Sequence, residues 1–380
     1  MNTLKIENHQ DGKSTKIKIK YILEMIRSRY ILSKIFNLLK KTKTIKIIKY
    51  NKKAQNKLNI SKEFFKEISE IEIEIIPSPN EYGKFIKIYD IKLEKYYHAY
   101  FNDSKEEIKR YYLTEKDNVN KIRMIIDYQI ESFYGLFFGC NCIESVDFIK
   151  FNRNNIIDMN NMFAYCRSLK KVKFTNFNSK NVKDMSYFFE GCSSLKEIYF
   201  NNFNTQNANS MNSMFSNCQS LEEINFSNFD TKNVNDMNSM FLNCSSLIKL
   251  NLSFFNTTKV KNMSNMFSGC RQMRELNLSY FDTHNVIDMS NMFNKCLSIK
   301  ELDLSNFNTQ NVQKMDYMFR DCESLEKLDI SNFKINDTIP MDFLSKCRRF
   351  QLKVIVSKFN DDNFKNNFYL CYPSYNINFI

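Results

Sequence analysis

Histidine is almost missing from this chain of 380 residues: His9, His98 and His284 stand far apart, and no Cys-x-x-Cys pair accompanies them. That argues against the usual nitrogen and sulfur ligand sets for a metal. No histidine lies near a recurring serine or cysteine either, so no nucleophile–base pair is visible and catalysis is not expected. Glycine is scarce. The six residues Gly12, Gly83, Gly135, Gly139, Gly191 and Gly269 are scattered, with no loop to cradle a phosphate and no cofactor implied. Long apolar runs are absent, since nothing approaches roughly 18 consecutive apolar residues, which excludes a spanning helix. The opening MNTLKIENHQDGKSTKIKIK lacks the apolar core of a signal peptide, and the closing NNFYLCYPSYNINFI carries no lipidation box or anchor. A cytoplasmic location is therefore expected, with the cell surface as the alternative.

The formal net charge of +13 invites a nucleic-acid reading until it is located. Residues 1–60 hold 16 Lys and Arg against 3 Asp and Glu, which accounts for all of it; residues 61–380 balance 39 against 39. Nucleic acid is thus an unfavoured partner for most of the chain.

What the chain has in abundance is repetition. Cys140, Cys166, Cys192, Cys218, Cys244, Cys270, Cys296 and Cys322 follow one another at intervals of 26 residues, and Cys347 closes the series one residue short. Met159, Met185, Met211, Met237, Met263, Met289, Met315 and Met341 keep the same register, as does a file of phenylalanines from Phe163 to Phe319. About eight units therefore run over residues 132–349. Equivalent side chains in a parallel stack point the same way, which suits reduced, buried thiols better than disulfides.

Each unit carries two hydrophobic rhythms. Leu247, Leu250 and Leu252 end in the alternation of a short strand with one buried face. Val234, Met237, Met240, Phe241 and Cys244 recur every three or four residues, the spacing of a short helix, with Asn233 and Asp236 at its start and Asn238 on its polar side. The expected fold is an α/β repeat solenoid of leucine-rich-repeat type, with a parallel sheet on the concave side and short helices on the convex side. The expected domains are a basic helical region at 1–60, a mixed strand and helix connector at 61–131, the solenoid at 132–349 and a C-terminal cap at 350–380. Within the connector, alternation at Ile71, Ile73 and Ile75 predicts strands across 70–100, and Ser104–Leu113 reads as a capped helix. Residues 120–140 read as a degenerate first repeat that covers the end of the array.

The unit Met-x-x-Met-Phe-x-x-Cys-x-Ser-Leu-x-x-Leu-x-Leu-Ser-x-Phe-x-Thr-x-Asn-Val, seen at 263–286 and 289–312, resembles the BspA-like leucine-rich repeat family over residues 133–347. That resemblance implies a repeat solenoid and, in many members, a surface protein that binds other proteins. Residues 27–58 also look like an F-box, with Ile31, Ile35, Leu38 and Leu39 placed as in its first helix but without the usual Leu-Pro start. This second resemblance implies a ubiquitin-ligase adaptor that docks through those four residues.

In the strand, the residues between the buried ones should face outward along the concave side. They include Glu197, Tyr199, Glu223, Asn225, Lys249, Asn251, Glu275, Asn277, Glu301 and Asp303, with Tyr199 the aromatic anchor. The function read from the residues is a non-enzymatic scaffold that binds a partner protein there, acting as a monomer. A degradation adaptor and a surface adhesin are the alternatives. The Asn column (Asn155, Asn181, Asn207, Asn233, Asn285, Asn311) is read as structural, satisfying backbone groups at a turn, and Lys259 interrupts it.

Overall fold

A computed structural model divides the chain into two units, residues 1–70 and 71–380. The structure describes residues 56, 70–127, 130–151, 155–175, 177–201, 203–333, 342–347, 352–356 and 376–379. Apart from Asn56, the basic helical region expected at 1–60 lies outside the described residues. Nearly all of the described residues belong to the second unit.

That unit begins with an antiparallel cap. Its strands are β1 (Ile71–Pro77), β2 (Gly83–Lys84), β3 (Tyr97–Phe101), β4 (Tyr112–Leu113) and β5 (Ile122–Ile126), with a 3-10 turn at Ile91–Tyr96. The expected alternation holds: Ile71, Ile73 and Ile75 are buried beneath Glu72 and Glu74. The helix expected at 104–113 is not formed; Ile108 bridges to Ala99 of β3, and the segment ends in β4. Residues 122–126 are likewise a cap strand, not part of a repeat. The cap's purpose is visible in the sheet order β3-β5-β1-β6-β7-β8, where β6 (Ile143–Phe151), β7 (Lys171–Lys173) and β8 (Glu197–Tyr199) are the first parallel strands of the array. β1 runs antiparallel along β6 and so satisfies a backbone edge that would otherwise be open.

Beyond residue 132 the chain winds as a β-solenoid of about eight coils. The later strands are short: β9 (Lys249–Leu250), β10 (Glu275–Leu276), β11 (Glu301–Asp303), β12 (Lys327–Ile330), β13 (Lys353–Val356) and β14 (Asn376–Phe379). They are grouped β9 with β10, then β11 to β14 in sequence, and residues 223–225 take the strand position without a ladder. The sheet is therefore interrupted. The opposite side of the coil is not, for parallel bridges link Ser132, Asp158, Asp184, Ser210, Asp236, Asn262, Asp288 and Lys314 in one unbroken line.

That opposite side is where the expected convex helices are absent. In Met237–Cys244 the N–H groups of Met240, Leu242 and Cys244 return to the carbonyls of Met237, Ser239 and Phe241, three residues back. The N–H groups of Met237, Ser239, Phe241 and Asn243 instead reach the carbonyls of Asn262, Ser264, Met266 and Ser268 in the next coil, at 2.7–3.0 Å. The backbone is a chain of linked turns, and it can alternate because Ser239 and Asn243 adopt left-handed φ values of 55° and 56°. The burial pattern of a helix survives: Val234, Met237, Met240, Phe241 and Cys244 are all fully buried. Three-and-four spacing thus describes stacked turns as well as it describes a helix.

Left-handed residues recur in two files, one from Gly135 through Ser213 and Ser239 to Tyr317, the other from Gly139 through Asn217 and Asn243 to Asp321. Four of the six glycines belong to these files, so they are not scattered. At Gly269 the need is steric as well as conformational, because a Cβ there would lie 2.2 Å from the Asn243 side-chain oxygen.

Between sheet and turns, side chains stack on their own repeats. The rings of Phe137, Phe163, Phe189, Phe215, Phe241, Phe267, Phe293 and Phe319 lie 4.9–5.8 Å apart, tilted by no more than 17°. The ten described cysteines are free and buried. From Cys166 to Cys347 each file thiol donates to the carbonyl of a phenylalanine in the preceding coil, as Cys244 does to Phe215 at 3.1 Å. Burial pushes the Cys244 and Cys296 thiols up to about 12. Buried threonines stitch the corner. Thr257 Oγ1 donates to the Asp282 carbonyl at 2.9 Å and accepts from the Asp282 N–H at 2.8 Å, and Thr205, Thr231 and Thr283 do the same one coil apart. The Asn column is structural as expected: Asn233 donates to the Gln206 carbonyl at 2.9 Å and Asn285 to that of Thr258 at 2.7 Å. Where Lys259 interrupts the column, its ammonium reaches the Asn233 side-chain oxygen at 2.8 Å.

These files set the cost of altering them. Phe241→Ser, which removes a stacked ring and buries a hydroxyl, is expected to lower stability by about 3–5 kcal/mol in urea unfolding. Thr257→Val, which strands a buried N–H and carbonyl, should lose about 1–3 kcal/mol; equal and negligible losses would mean the files are misplaced. The thiols add a dependence on pH. A thiol with a raised folded-state pKa binds more protons folded than unfolded, so its contribution is complete below the ordinary value near 9 and is lost as pH climbs toward about 12. Each such thiol steepens the loss by about 1.4 kcal/mol per pH unit. Cys244→Ser keeps a donor for Phe215 and should flatten the alkaline slope of unfolding free energy by that amount; an unchanged slope would refute the assignment.

Candidate functional site

The site is the outward face of the strand positions, and coil register builds it. Glu275 lies beside Lys249 and Leu276 beside Leu250; Glu301, Leu302 and Asp303 lie beside Lys327, Leu328 and Asp329. With side chains alternating across the strand, Leu250 and Leu302 turn inward. The neighbours face water. All ten residues predicted for the face, from Glu197 and Tyr199 to Glu301 and Asp303, are exposed.

The second residue of each pair does more than face solvent. Asn225, Asn251, Asn277 and Asp303 each accept the backbone N–H of the serine two residues on, at 2.9–3.1 Å, which closes the corner after the strand. Ser305 donates through its hydroxyl and its backbone N–H to Asp303, which holds that carboxyl below the usual carboxylate range. These residues are exposed and also structural.

The first residue of each pair carries the charge. At the N-terminal end Lys171 donates to Glu197 at 2.5 Å and lies 5.1 Å from the centre of the Tyr199 ring, while the Tyr199 hydroxyl donates to Glu197 at 2.8 Å. The Lys171 and Tyr199 hydrogen bonds hold the Glu197 carboxyl below its ordinary value. Tyr199 is thus fixed in a three-residue cluster. Toward the other end Lys327 faces Glu301 at 3.7 Å. In between, Glu223, Lys249 and Glu275 form no ion pair within 4 Å among the described residues. The centre of the face therefore offers charges that are not already matched among those residues.

Two aromatic residues at the edge of this face were not among the predicted site residues. Phe254 and Tyr280, one coil apart, are 55% and 62% exposed. The sequence does hold the signal: the same column reads Asn176, Asn202, Asn228, Phe254, Tyr280, Asn306, Asn332, an asparagine file broken twice. No group of three His, Cys, Asp or Glu among the described residues is placed to hold a metal ion, and no described helix is long and apolar enough to cross a membrane. Ile31, Ile35, Leu38 and Leu39 lie outside the described residues.

Comparison with known proteins adds a family to this geometry. Residues 131–250 and 243–359 both match the family model described as Mycoplasma protein of unknown function, DUF285. The chain belongs to that family. The DUF285 match spans the coils. No curated protein matches the chain. Among solved structures, a leucine-rich cell surface protein from Faecalibacterium prausnitzii A2-165 is similar at 17% identity over 55% of this chain and 78% of that one, with a TM-score of 0.23. TLR13, solved in complex with ssRNA13, is similar at 17% identity over 58% of this chain and 45% of that one, with a TM-score of 0.16. Neither likeness is close enough to bear on the DUF285 face described above.

Proposed function

We propose that this DUF285 protein is a non-enzymatic scaffold that binds a partner protein along the outward face of its strand positions. One observation carries the reading. Coil register lines up exposed side chains over at least five successive coils, and Glu223, Lys249 and Glu275 at the centre have no ion-pair partner among the described residues. Exposed charges of this kind steer and select a complementary surface more than they stabilise the fold. Stacked repeats as a class bind through such extended faces.

The test is quantitative affinity capture from the native cell extract with the intact chain and with Glu197→Lys, Glu223→Lys, Glu275→Lys and Glu301→Lys combined. Every replaced side chain is exposed, so the variant is expected to fold. The bound proteins should fall away from the variant and persist with Lys183→Glu and Lys261→Glu on the turn side. A bound set that is identical for all three proteins would remove the strand face from the account.

A further inference from the structure

We infer that residues 105–109 form a pH-sensitive strap over the outer edge of β3, held down when the His98 imidazole is protonated and loosened when it is neutral. The strap belongs to the antiparallel cap and lies apart from the strand-position face, so it does not depend on the scaffold reading.

β3 is the last strand of the cap sheet, so its outer edge needs cover. Three of its carbonyls find donors in the segment that follows. Phe101 accepts from the Ser104 N–H at 3.2 Å, Ala99 from the Ile108 N–H at 2.8 Å and Tyr97 from the Tyr111 hydroxyl at 2.8 Å. The ends of that segment are pinned, since Ser104 closes the turn after β3 and Arg110 donates to Asp117 at 2.8 Å. Between them, among the described residues, two hydrogen bonds tie the segment to β3. One is that of Ile108, and the other runs between His98 Nδ1 and Glu107 at 2.8 Å. Lys105, Glu106 and Lys109 are exposed, so little apolar burial adds to those two ties.

The surroundings of His98 suit a cation. Hydrogen bonds from Lys109, the larger effect, and from His98 hold the Glu107 carboxyl below its ordinary value, so Glu107 is ionised and Nδ1 is the donor. Nε2 is buried without a hydrogen-bond partner, and it lies 3.8 Å from a carboxylate oxygen of Asp127. On a neutral ring, Nε2 is then an acceptor set beside another acceptor. One proton makes it a donor toward Asp127. The same proton makes the bond to Glu107 an ion pair, about twice as strong as its neutral counterpart. The remaining neighbours do not supply that charge. Lys109 lies 2.6 Å from Glu107 on the strap itself. On β5 the residue level with His98 is Ile125, and Glu72 of β1 beyond it faces Arg123 at 3.7 Å. The 3-10 turn before β3 adds Glu94, which forms no ion pair with the ring among the described residues, and Lys95, whose ammonium lies 5.0 Å from the Tyr96 ring centre. Closure is thus complete where the ring is protonated. It weakens as pH climbs through about 5.5–7.5, the range in which imidazoles titrate.

The experiment is amide hydrogen exchange on the full chain between about pH 5 and 8, read as protection factors so that the intrinsic pH dependence of exchange cancels. The Ile108 amide reports the strap directly, because its acceptor is the Ala99 carbonyl. Its protection should fall about five- to tenfold across that range, while that of Phe241 in the array stays level. His98→Gln keeps a donor for Glu107 but takes up no proton, so it should flatten the Ile108 profile. Glu107→Gln, which removes the charge that the imidazolium pairs with, should flatten most of it as well. A level profile in the parent chain, protection that rises with pH, or a slope that survives His98→Gln would each overturn the assignment. If His98→Gln unfolds the cap, the parent profile and Glu107→Gln decide it in the same way.

Discussion

Half of the backbone donors in each turn segment belong, in effect, to the neighbouring coil. Met237, Ser239, Phe241 and Asn243 have no acceptor within their own turn and find one only when the next coil is present. Everything else in the array depends on that constraint. It fixes the register, because a shift of one residue would send buried Met and Phe side chains toward solvent. It also requires the left-handed residues, since without them the carbonyls could not alternate between turn and neighbour. A single coil is not a folding unit in this protein. Its stability is a nearest-neighbour property.

The same constraint explains why the side chains repeat more faithfully than a hydrophobic core alone would demand. Cysteine is small enough for the file and still carries a weak donor for the phenylalanine carbonyl of the coil before it. Threonine at the corner both donates to and accepts from the next coil. Asparagine closes turns with its oxygen and bridges coils with its nitrogen. Each residue type satisfies a backbone group that stacking would otherwise bury unpaired. The first outward strand position of each coil, Glu197, Glu223, Lys249, Glu275 and Glu301, closes no such corner, and there the sequence varies in charge from coil to coil. On the scaffold reading proposed above, that freedom is what suits the face to recognition.

Much of the array is legible from spacing alone. The period, the buried columns of Cys, Met and Phe, the outward orientation of Glu197 through Asp303 and the structural part of the Asn column all come from a repeat read at 26 residues. The helical reading fails because buried residues at Val234, Met237, Phe241 and Cys244 satisfy a helical period without requiring helical hydrogen bonds. Hydrophobic spacing reports which side chains are inside, not where the N–H groups point. The corrective signal lies in Ser239, Asn243, Gly191 and Gly269, residue types that accept left-handed backbone at positions where a helix would use better helix formers. Phe254 and Tyr280 escape a search for buried columns for a related reason. They are conspicuous only against the asparagine column that they interrupt.

The most direct measurement is of the hydrogen bonds themselves. Scalar couplings across hydrogen bonds, recorded by nuclear magnetic resonance on isotope-labelled protein, identify donor and acceptor residue by residue. Coupling between the Phe241 amide nitrogen and the Met266 carbonyl carbon is the predicted result. Coupling from Phe241 to the carbonyl of Met237, four residues back as in an α-helix, would contradict the linked-turn solenoid and the face built on it.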